Sequence, residues 1–560
     1  RAPARGQRRS NKTGWQLPRE QERERDQVRI CSVDIMAKKK SGRTAKSNAQ
    51  KNHPWKSKLA QISQIVNSYR PAKVGASYVK ETLADLVKQV TYQQKPLGEL
   101  IKAQEVIDSK RHSPREAGER ASSGVVFAKW LNDKAPDSKL GDTFDFKWEG
   151  LAEGSGVVAA KDLKRHELFI QIPRKAMITS TQASQSPLGK VLMKDPMFGS
   201  MPNLMLAVYI MFERLNPESM WAPYLNALPR RFNLPLFFDA EELKELAGSP
   251  TYYDALKIQK QTLRQYVLTT KLLSGAGGGG GREAAGLNLP PFSYRDFRWA
   301  VSVVMTRQNQ IPSTSDPKKR LLVLIPGWDF CNFRDGELTT QFNDEVDASE
   351  SFTMEDVKKG GQVYIHYGNR PNSKLFLFSG FIADDNKSDY VEVVFAYPSE
   401  AAEDNYKVDL KPEDAPMAKI RRMMLQVRQL REIIQPFRIY PDGKPSEICL
   451  TWCRICVCNK AEAAEVLKAK TAVISSLGKR NERAAYALLK ENVERSLQKY
   501  PTTVDQDRKL LDTATLSPNA RVAVRLRLAE KVTLQKCAKR ATEFLKGNCE
   551  TASANDNKQV

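Results

Sequence analysis

Arg307-Gln308-Asn309-Gln310-Ile311-Pro312 closes an apolar stretch, Trp299-Ala300-Val301-Ser302-Val303-Val304-Met305, whose apolar residues recur at helical spacing. Proline lacks a backbone donor and stops most elements, so the polar tip is expected at an element end. Two downstream segments share this character: Trp328-Asp329-Phe330-Cys331-Asn332-Phe333 and Tyr364-Ile365-His366-Tyr367-Gly368-Asn369-Arg370. Each ends an aliphatic or β-branched run with mixed aromatic and amide residues. On periodicity alone the three are strand or helix termini with turn chemistry, and nothing more.

Outward from this block the chain changes character in both directions. Upstream, short strands are expected at Gly156 to Ala160 and Glu167 to Ile172, with Pro173 as a stop. A helix-rich stretch follows over roughly 185–300, with Leu204 to Phe212 as a buried helix and Glu241 to Ala247 as an amphipathic one. Five consecutive glycines, Gly277 to Gly281, lack the Gly-Lys-Ser/Thr that a phosphate cradle needs, which makes them a flexible loop. Within the block, Leu321 to Ile325 and Gln362 to Tyr367 are candidate strands. Downstream, Ile420, Met423, Met424, Val427, Leu430 and Ile434 form one helical face, with further helices near 482–499 and 520–546. The expected organisation is a basic disordered tail (1–58), a helical lead-in (59–119), a mixed domain (120–395), a helical lobe (396–546) and a frayed end (547–560).

The net charge of +24 over 560 residues is unevenly spread. Residues 1–58 hold 17 Lys and Arg against 5 Asp and Glu, half of the excess, in a stretch with few apolar residues. A solvated tail explains it more economically than a nuclear-localisation or anionic-surface tail, and no specific nucleic-acid partner is expected. The first methionine is Met36, which leaves two candidate starts, Met36 itself and one upstream of it. The longest apolar run, nine residues from Leu204 to Phe212, falls short of the roughly 20 that span a bilayer. Eight cysteines point to no oxidising compartment, and a cytoplasmic location, with the nucleus as a second, is expected.

Acid–base chemistry is scarce. The chain has four histidines, His53, His112, His166 and His366, and no Gly-x-Ser-x-Gly elbow, which argues against hydrolysis by a triad. Cys449, Cys453, Cys456 and Cys458 lack the paired spacing of a zinc site; three of them share a helical face with Trp452 nearby and are expected as buried thiols, with no metal.

At its polar segments the chain resembles the SET-domain methyltransferases, and within them the branch that methylates a histidine of actin. The resemblance rests on Arg307 to Pro312, Ile325-Pro326, Trp328-Asp329, Cys331-Asn332, Tyr367-Gly368 and Ser379-Gly380-Phe381. Upstream it takes in Glu167-Leu168-Phe169, Pro173-Arg174-Lys175 and Trp221-Ala222-Pro223-Tyr224, covering about Arg120 to Phe395. The helical lobe resembles the Rubisco-methyltransferase-type substrate-binding domain.

That resemblance implies an α+β fold: a β-rich SET domain with a pseudo-knot and a helical insert, followed by an all-α C-terminal lobe. It implies S-adenosylmethionine as cofactor and actin as protein substrate, handled by a monomer. Arg120 and Arg307 would hold the cofactor's carboxylate, for which guanidinium geometry is suited. Glu167, Leu168 and Phe169 would line the adenosine side, Phe169 with its ring. Asp329, Phe330, Cys331, Asn332 and Phe333 would fix the nucleoside and amino group, and Ser379, Gly380 and Phe381 would close the pocket. Tyr367 would stand at the methyl-transfer channel and Asn309 would orient the acceptor imidazole, while Gln308, Trp328, Ile365 and Arg370 would shape the peptide groove. The family pattern has Asn-His where this chain reads Asn332-Phe333; a backbone contact there would tolerate the exchange. A lysine methyltransferase of the same fold and a non-catalytic binding protein are the alternatives, the first separated by replacing Asn309 and the second by cofactor binding.

Overall fold

The computed structural model describes residues 83–108, 118–273, 289–396, 415–430, 434–469, 471–513 and 515–556, with residues 62, 64 and 287 standing alone. The expected basic tail, the lead-in ahead of residue 83 apart from 62 and 64, and the glycine run lie outside these residues. Helix α1 (Leu83–Asp108) is anchored by the buried Gln104. Its side-chain nitrogen donates to the Tyr266 hydroxyl at 2.8 Å, and its oxygen accepts from the Tyr294 amide at 3.1 Å. Helix α2 (Glu119–Lys134) buries Phe127, Trp130 and Leu131 against the strands that follow.

Those strands are β1 (Phe144–Leu151), β2 (Gly154–Ala159), β3 (Leu168–Pro173) and β4 (Ile178–Thr179), within two residues of the expected positions where the sequence named them. The helical insert then contains α3 (Pro202–Leu215), α4 (Ala222–Ala227), α5 (Ala240–Lys244), α6 (Pro250–Leu273) and α7 (Tyr294–Arg307). Pro202 starts α3, a position that needs no donor, and the run Leu204 to Phe212 fills it with buried side chains on nearly every face. Beyond α7 come β5 (Asn309–Pro312), β6 (Arg320–Leu324), β7 (Asn332–Phe333), β8 (Thr340–Asn343), β9 (Ala348–Phe352) and β10 (Gln362–Ile365). They complete three small sheets, ordered β1-β2-β10-β7, β3-β9-β8 and β4-β6-β5. All pairs are antiparallel except β7 with β10, where Asn332 lies opposite Tyr364 and Phe333 opposite Ile365. That parallel pair brings two segments some thirty residues apart in the chain side by side. Helix α8 (Asn372–Ser379) and β11 (Val391–Ala396) lead out of the domain.

The C-terminal lobe contains α9 (Ala415–Val427), β12 (Ile434–Ile439), α10 (Glu447–Val457), α11 (Lys479–Leu497), α12 (Val504–Asp512) and α13 (Pro518–Asp556). It is helical except for β12, which pairs antiparallel with β11 from Ile434 opposite Ala396 to Ile439 opposite Val391. The helical face read from Ile420 to Ile434 is corrected here. Gln429, at φ 57°, turns the chain out of the helix, so Leu430 and Ile434 leave it, and Met423 and Val427 are exposed. Helix α13 also runs past the expected end at 546, since no proline interrupts Gly547 to Asp556 and Ala552 and Ala554 favour helix.

Two hydrophobic cores result. One joins the sheets to the insert; the other gathers β11, β12, α9, α10 and α11 around Trp452. Cys449, Cys453 and Cys456 on α10, with Cys458 just beyond it, are buried in the second core. Burial pushes the Cys449 and Cys456 thiols well above their ordinary range, the behaviour of small apolar side chains. Helix α13 crosses both, giving Ala523 and Leu526 to the first and Leu534 and Cys537 to the second. Between these pairs, buried Arg527 bonds Asp507 and the Glu245 carboxylate and carbonyl, and Lys531 pairs with Asp507 at 2.6 Å. Glu530 accepts from Ser249 (2.9 Å), Thr251 (3.2 Å) and Tyr500 (2.9 Å). No described helix is long and apolar enough to cross a membrane.

Candidate active site

Helix α7 begins on a capping box between Ser293 and Asp296 and ends at Arg307, because Gln308 turns extended (ψ 140°) into β5. Arg307, Gln308 and Asn309 therefore occupy a helix–strand junction, with the cation at the helix end where the dipole favours it. The Arg307 guanidinium donates to the Asp329 carbonyl, lies 3.7 Å from Asp329 Oδ1, and sits 5.1 Å from the centre of the Phe330 ring.

Asp329 belongs to a single 3-10 turn, Trp328–Phe330, entered through Gly327. At φ 95°, with Leu131 3.0 Å from where a Cβ would stand, position 327 suits glycine. The Asp329 carboxylate accepts from the Tyr224 hydroxyl on α4. Burial pushes the Asp329 carboxyl up to about 6 against the pull of Arg307 and Tyr224. Burial, and then the neighbouring carboxylate, hold the Tyr224 phenol far above its ordinary range. Near the start of α2, the Arg120 guanidinium is pushed down by burial and then by Arg307. Two cations thus face a common region, which an anion would relieve.

Parallel pairing of β7 with β10 assembles the opposite wall. Tyr367 follows β10 and donates to the Cys331 carbonyl at 2.8 Å. The Phe333 ring lies 5.4 Å from Tyr367, 5.6 Å from Phe381 and 5.9 Å from His366, centre to centre. Position 333, where the resemblance expects histidine, thus carries an apolar ring packed beside an imidazole on the neighbouring strand end. Ser379 is the last residue of α8 and Gly380 its C-cap, which delivers Phe381 to this wall. Trp328 donates its indole N–H to Ser351 Oγ at 2.7 Å and Thr340 Oγ1 at 3.2 Å, so the β8–β9 pair sets its ring.

Not every expected residue presents its side chain here. The Phe169 ring is fully buried in the first core, beside a register irregularity between Leu168 and Ile170. Glu167 sits at the surface, accepting from the Lys164 amide at 2.9 Å and pairing with Lys161 at 3.3 Å, while its own amide and carbonyl bond Thr353. Leu168 is half-buried at the start of β3. Ile365 is buried in β10 and cannot line a groove directly. Asn332 uses its side chain to tie β7 to the Ser155 carbonyl at 2.8 Å. Arg370 follows Tyr367 on the same loop, its carbonyl accepting from Asn386 at 2.8 Å. Tyr224, Thr340 and Ser351 escaped the sequence reading as site residues; 105 residues separate Tyr224 from Asp329, and no local pattern links them.

The polar atoms left over say what the region could hold. Arg120 Nε, Arg307 Nε, Gln308 Oε1, Asp329 Oδ1 and Ser379 Oγ are buried without a hydrogen-bond partner among the described residues. Such groups are costly unless a ligand satisfies them. Arg307, 3.7 Å from an Asp329 oxygen that has no hydrogen bond, and Arg120, held down by burial and close enough to Arg307 to be held down by it as well, match a ligand bearing both a carboxylate and an ammonium, as the amino-acid end of S-adenosylmethionine does.

The SET domain family matches residues 154–368, and the Rubisco LSMT substrate-binding family matches residues 412–534. The chain is 33% identical over 434 residues to the actin-histidine N-methyltransferase of Gallus gallus, and 32% identical over 437 residues to that of Homo sapiens. Each match covers 76% of this chain and 69% of the relative. In three dimensions it is similar to Rubisco LSMT bound to AdoMet, with a TM-score of 0.59 and 23% identity over 76% of this chain and 93% of that one. A second similar structure is Rubisco LSMT bound to sinefungin and monomethyllysine, with a TM-score of 0.58 and 22% identity over 75% and 92%.

Proposed function

This chain belongs to the actin-histidine N-methyltransferase family, SET-domain proteins with a Rubisco-methyltransferase-type lobe, and from that premise we propose that it methylates a histidine of actin. The observation that carries the reading is the junction Arg307-Gln308-Asn309 beside Asp329 and Tyr367, with buried polar atoms awaiting partners. Bound S-adenosylmethionine would supply an electrophilic methyl on a sulfonium, so the transfer is an in-line displacement that needs alignment more than acid or base. Alignment of this kind supplies roughly 7–11 kcal/mol of a barrier.

The chain's residues divide the work. Arg120 and Arg307 would take the cofactor's carboxylate and Asp329 its ammonium. Main-chain groups of Glu167 to Phe169 and Cys331 to Phe333 would border the nucleoside. Tyr367 is held by the Cys331 carbonyl, and burial pushes its phenol far above the usual range, so it stays a neutral rim to the channel. The acceptor imidazole must be neutral, with the N–H on its non-reacting nitrogen accepted by an oxygen. Gln308 Oε1, buried and unbonded, and the half-buried Asn309, whose oxygen accepts the Gln310 amide at 2.8 Å and has a second lone pair, would take that N–H at the junction. Aromatic faces of Trp328 and Tyr367 would tolerate the positive charge that the ring carries just after transfer. The reading extends to a monomer acting in the cytoplasm, which sizing and imaging of the tagged chain would check.

Mass spectrometry of purified unmethylated actin, incubated with this protein and S-adenosylmethionine, tests the reading. A gain of one methyl on a histidine is expected. Methyl groups on lysine alone, or none while the cofactor binds, would overturn it.

A further inference from the structure

His366 is buried, with its side chain only 3% exposed, and lies one residue before Tyr367. Its Nε2 is 3.1 Å from Asn369 Oδ1, an oxygen that also receives the Ser388 hydroxyl at 3.3 Å. Its Nδ1 has no hydrogen bond and lies 3.7 Å from Asp335 Oδ1; the other oxygen of that carboxylate accepts the Lys387 amide at 3.3 Å. The ring face packs on Phe333, 5.9 Å between centres. One side chain thus touches three segments: β7 through Phe333, the loop after β7 through Asp335, and the loop after β10 through Asn369. Strand hydrogen bonding alone does not account for this, because β10 ends at Ile365 and no strand contains residues 366–370. Those residues include Tyr367 and Arg370, the side chains assigned above to the channel and the peptide.

We propose that His366 is a positioning residue that clamps the segment Tyr367–Arg370 to β7 and its following loop, and so sets how tightly the protein substrate is held. It rests on the reading of this site as a protein methyltransferase, but the clamp is a property of the free chain. A buried polar side chain bonded at one ring nitrogen and facing a carboxylate at the other fixes a loop more firmly than an apolar ring could. Its effect should fall on substrate binding and on the channel rim at Tyr367 more than on the cofactor, because Arg120, Arg307 and Asp329, which would meet the cofactor's amino-acid end, lie on other segments.

The test compares wild type with His366→Phe, which keeps an aromatic ring against Phe333 and removes both polar arms, and with His366→Gln, which keeps one. Hydrogen exchange of the free proteins should show the amides of 367–370 exchanging about tenfold faster in His366→Phe, the effect of losing one buried hydrogen bond. With actin as substrate, KM should rise about tenfold and kcat should fall as Tyr367 loosens at the channel, while cofactor affinity stays within about twofold. His366→Gln should recover part of both effects, and adding Asp335→Asn, which keeps an oxygen for the Lys387 amide, to His366→Phe should cost no more than His366→Phe alone. Unchanged exchange at 367–370 overturns the clamp, as does a fall in cofactor affinity equal to the rise in KM. Wild type that leaves actin unmethylated would sink the functional reading while the exchange measurement still decides the clamp.

Discussion

Replacing Asp329 by asparagine removes a buried carboxyl that the fold titrates at about 6 against an ordinary 3.8. The folded chain therefore holds this proton more tightly than the unfolded chain does. Stability from this group is fully present below the ordinary value and is lost as pH rises through about 6. A lift of about two units, at roughly 1.4 kcal/mol each, makes ionised Asp329 cost the empty protein ~3 kcal/mol. Asparagine keeps the shape and an acceptor for the Tyr224 hydroxyl but has no charge to desolvate. Urea unfolding of variant and wild type across about pH 4 to 8 isolates the group, because all other titrations cancel in the difference. The variant should gain ~3 kcal/mol relative to wild type between about pH 4 and 6.5 and hold that advantage above it. The same substitution should weaken S-adenosylmethionine binding at neutral pH by about ten- to a hundredfold, the range for a lost charge-assisted hydrogen bond. A difference curve flat from about pH 4 to 8 would refute the electrostatic argument, and unchanged cofactor affinity would refute the role given to the carboxylate.

Three further outcomes are expected. Glu530 is pushed up to about 7 by burial, so Glu530→Gln should raise the melting temperature above pH 7 and leave it unchanged below about 4.5, read by calorimetry at both extremes. Gly124 packs against the Trp148 indole with no room for a Cβ, and Gly124→Ala should cost about 1–3 kcal/mol in urea unfolding. Ser351→Ala leaves the Trp328 indole with Thr340 as its one acceptor; KM for actin should rise several-fold with cofactor affinity unchanged, measured by initial rates.

What the sequence revealed was what short spacing encodes. The α3 run is apolar at nearly every position, and a helix buried on most sides has no other way to look. Arg307-Gln308-Asn309 was legible because a helical pattern, a polar tip and a proline fall within fourteen residues, so junction and chemistry share one window. Elsewhere partners are far apart in the chain. The β7–β10 register, the Tyr224–Asp329 bond and the Trp328–Ser351 bond each join segments that no periodicity relates. Phe169 lies fully buried, and an aromatic residue in a family-like triplet does not say how deep in the core its ring packs. The end of α9 misled because Leu430 and Ile434 continue the helical spacing, and only the left-handed backbone at Gln429 breaks it.

Helix α13 has a consequence for how the protein is made. Ala523 and Leu526 belong to the same core as α3 and α7, yet the ribosome reaches them only after the whole intervening lobe. While the chain is still emerging, the insert's apolar surface stays open, a period when nascent domains of this size are prone to aggregate or to engage chaperones. Truncation ahead of Pro518 would therefore remove more than a lobe helix: it would leave the methyl-transfer domain with an unsealed interior.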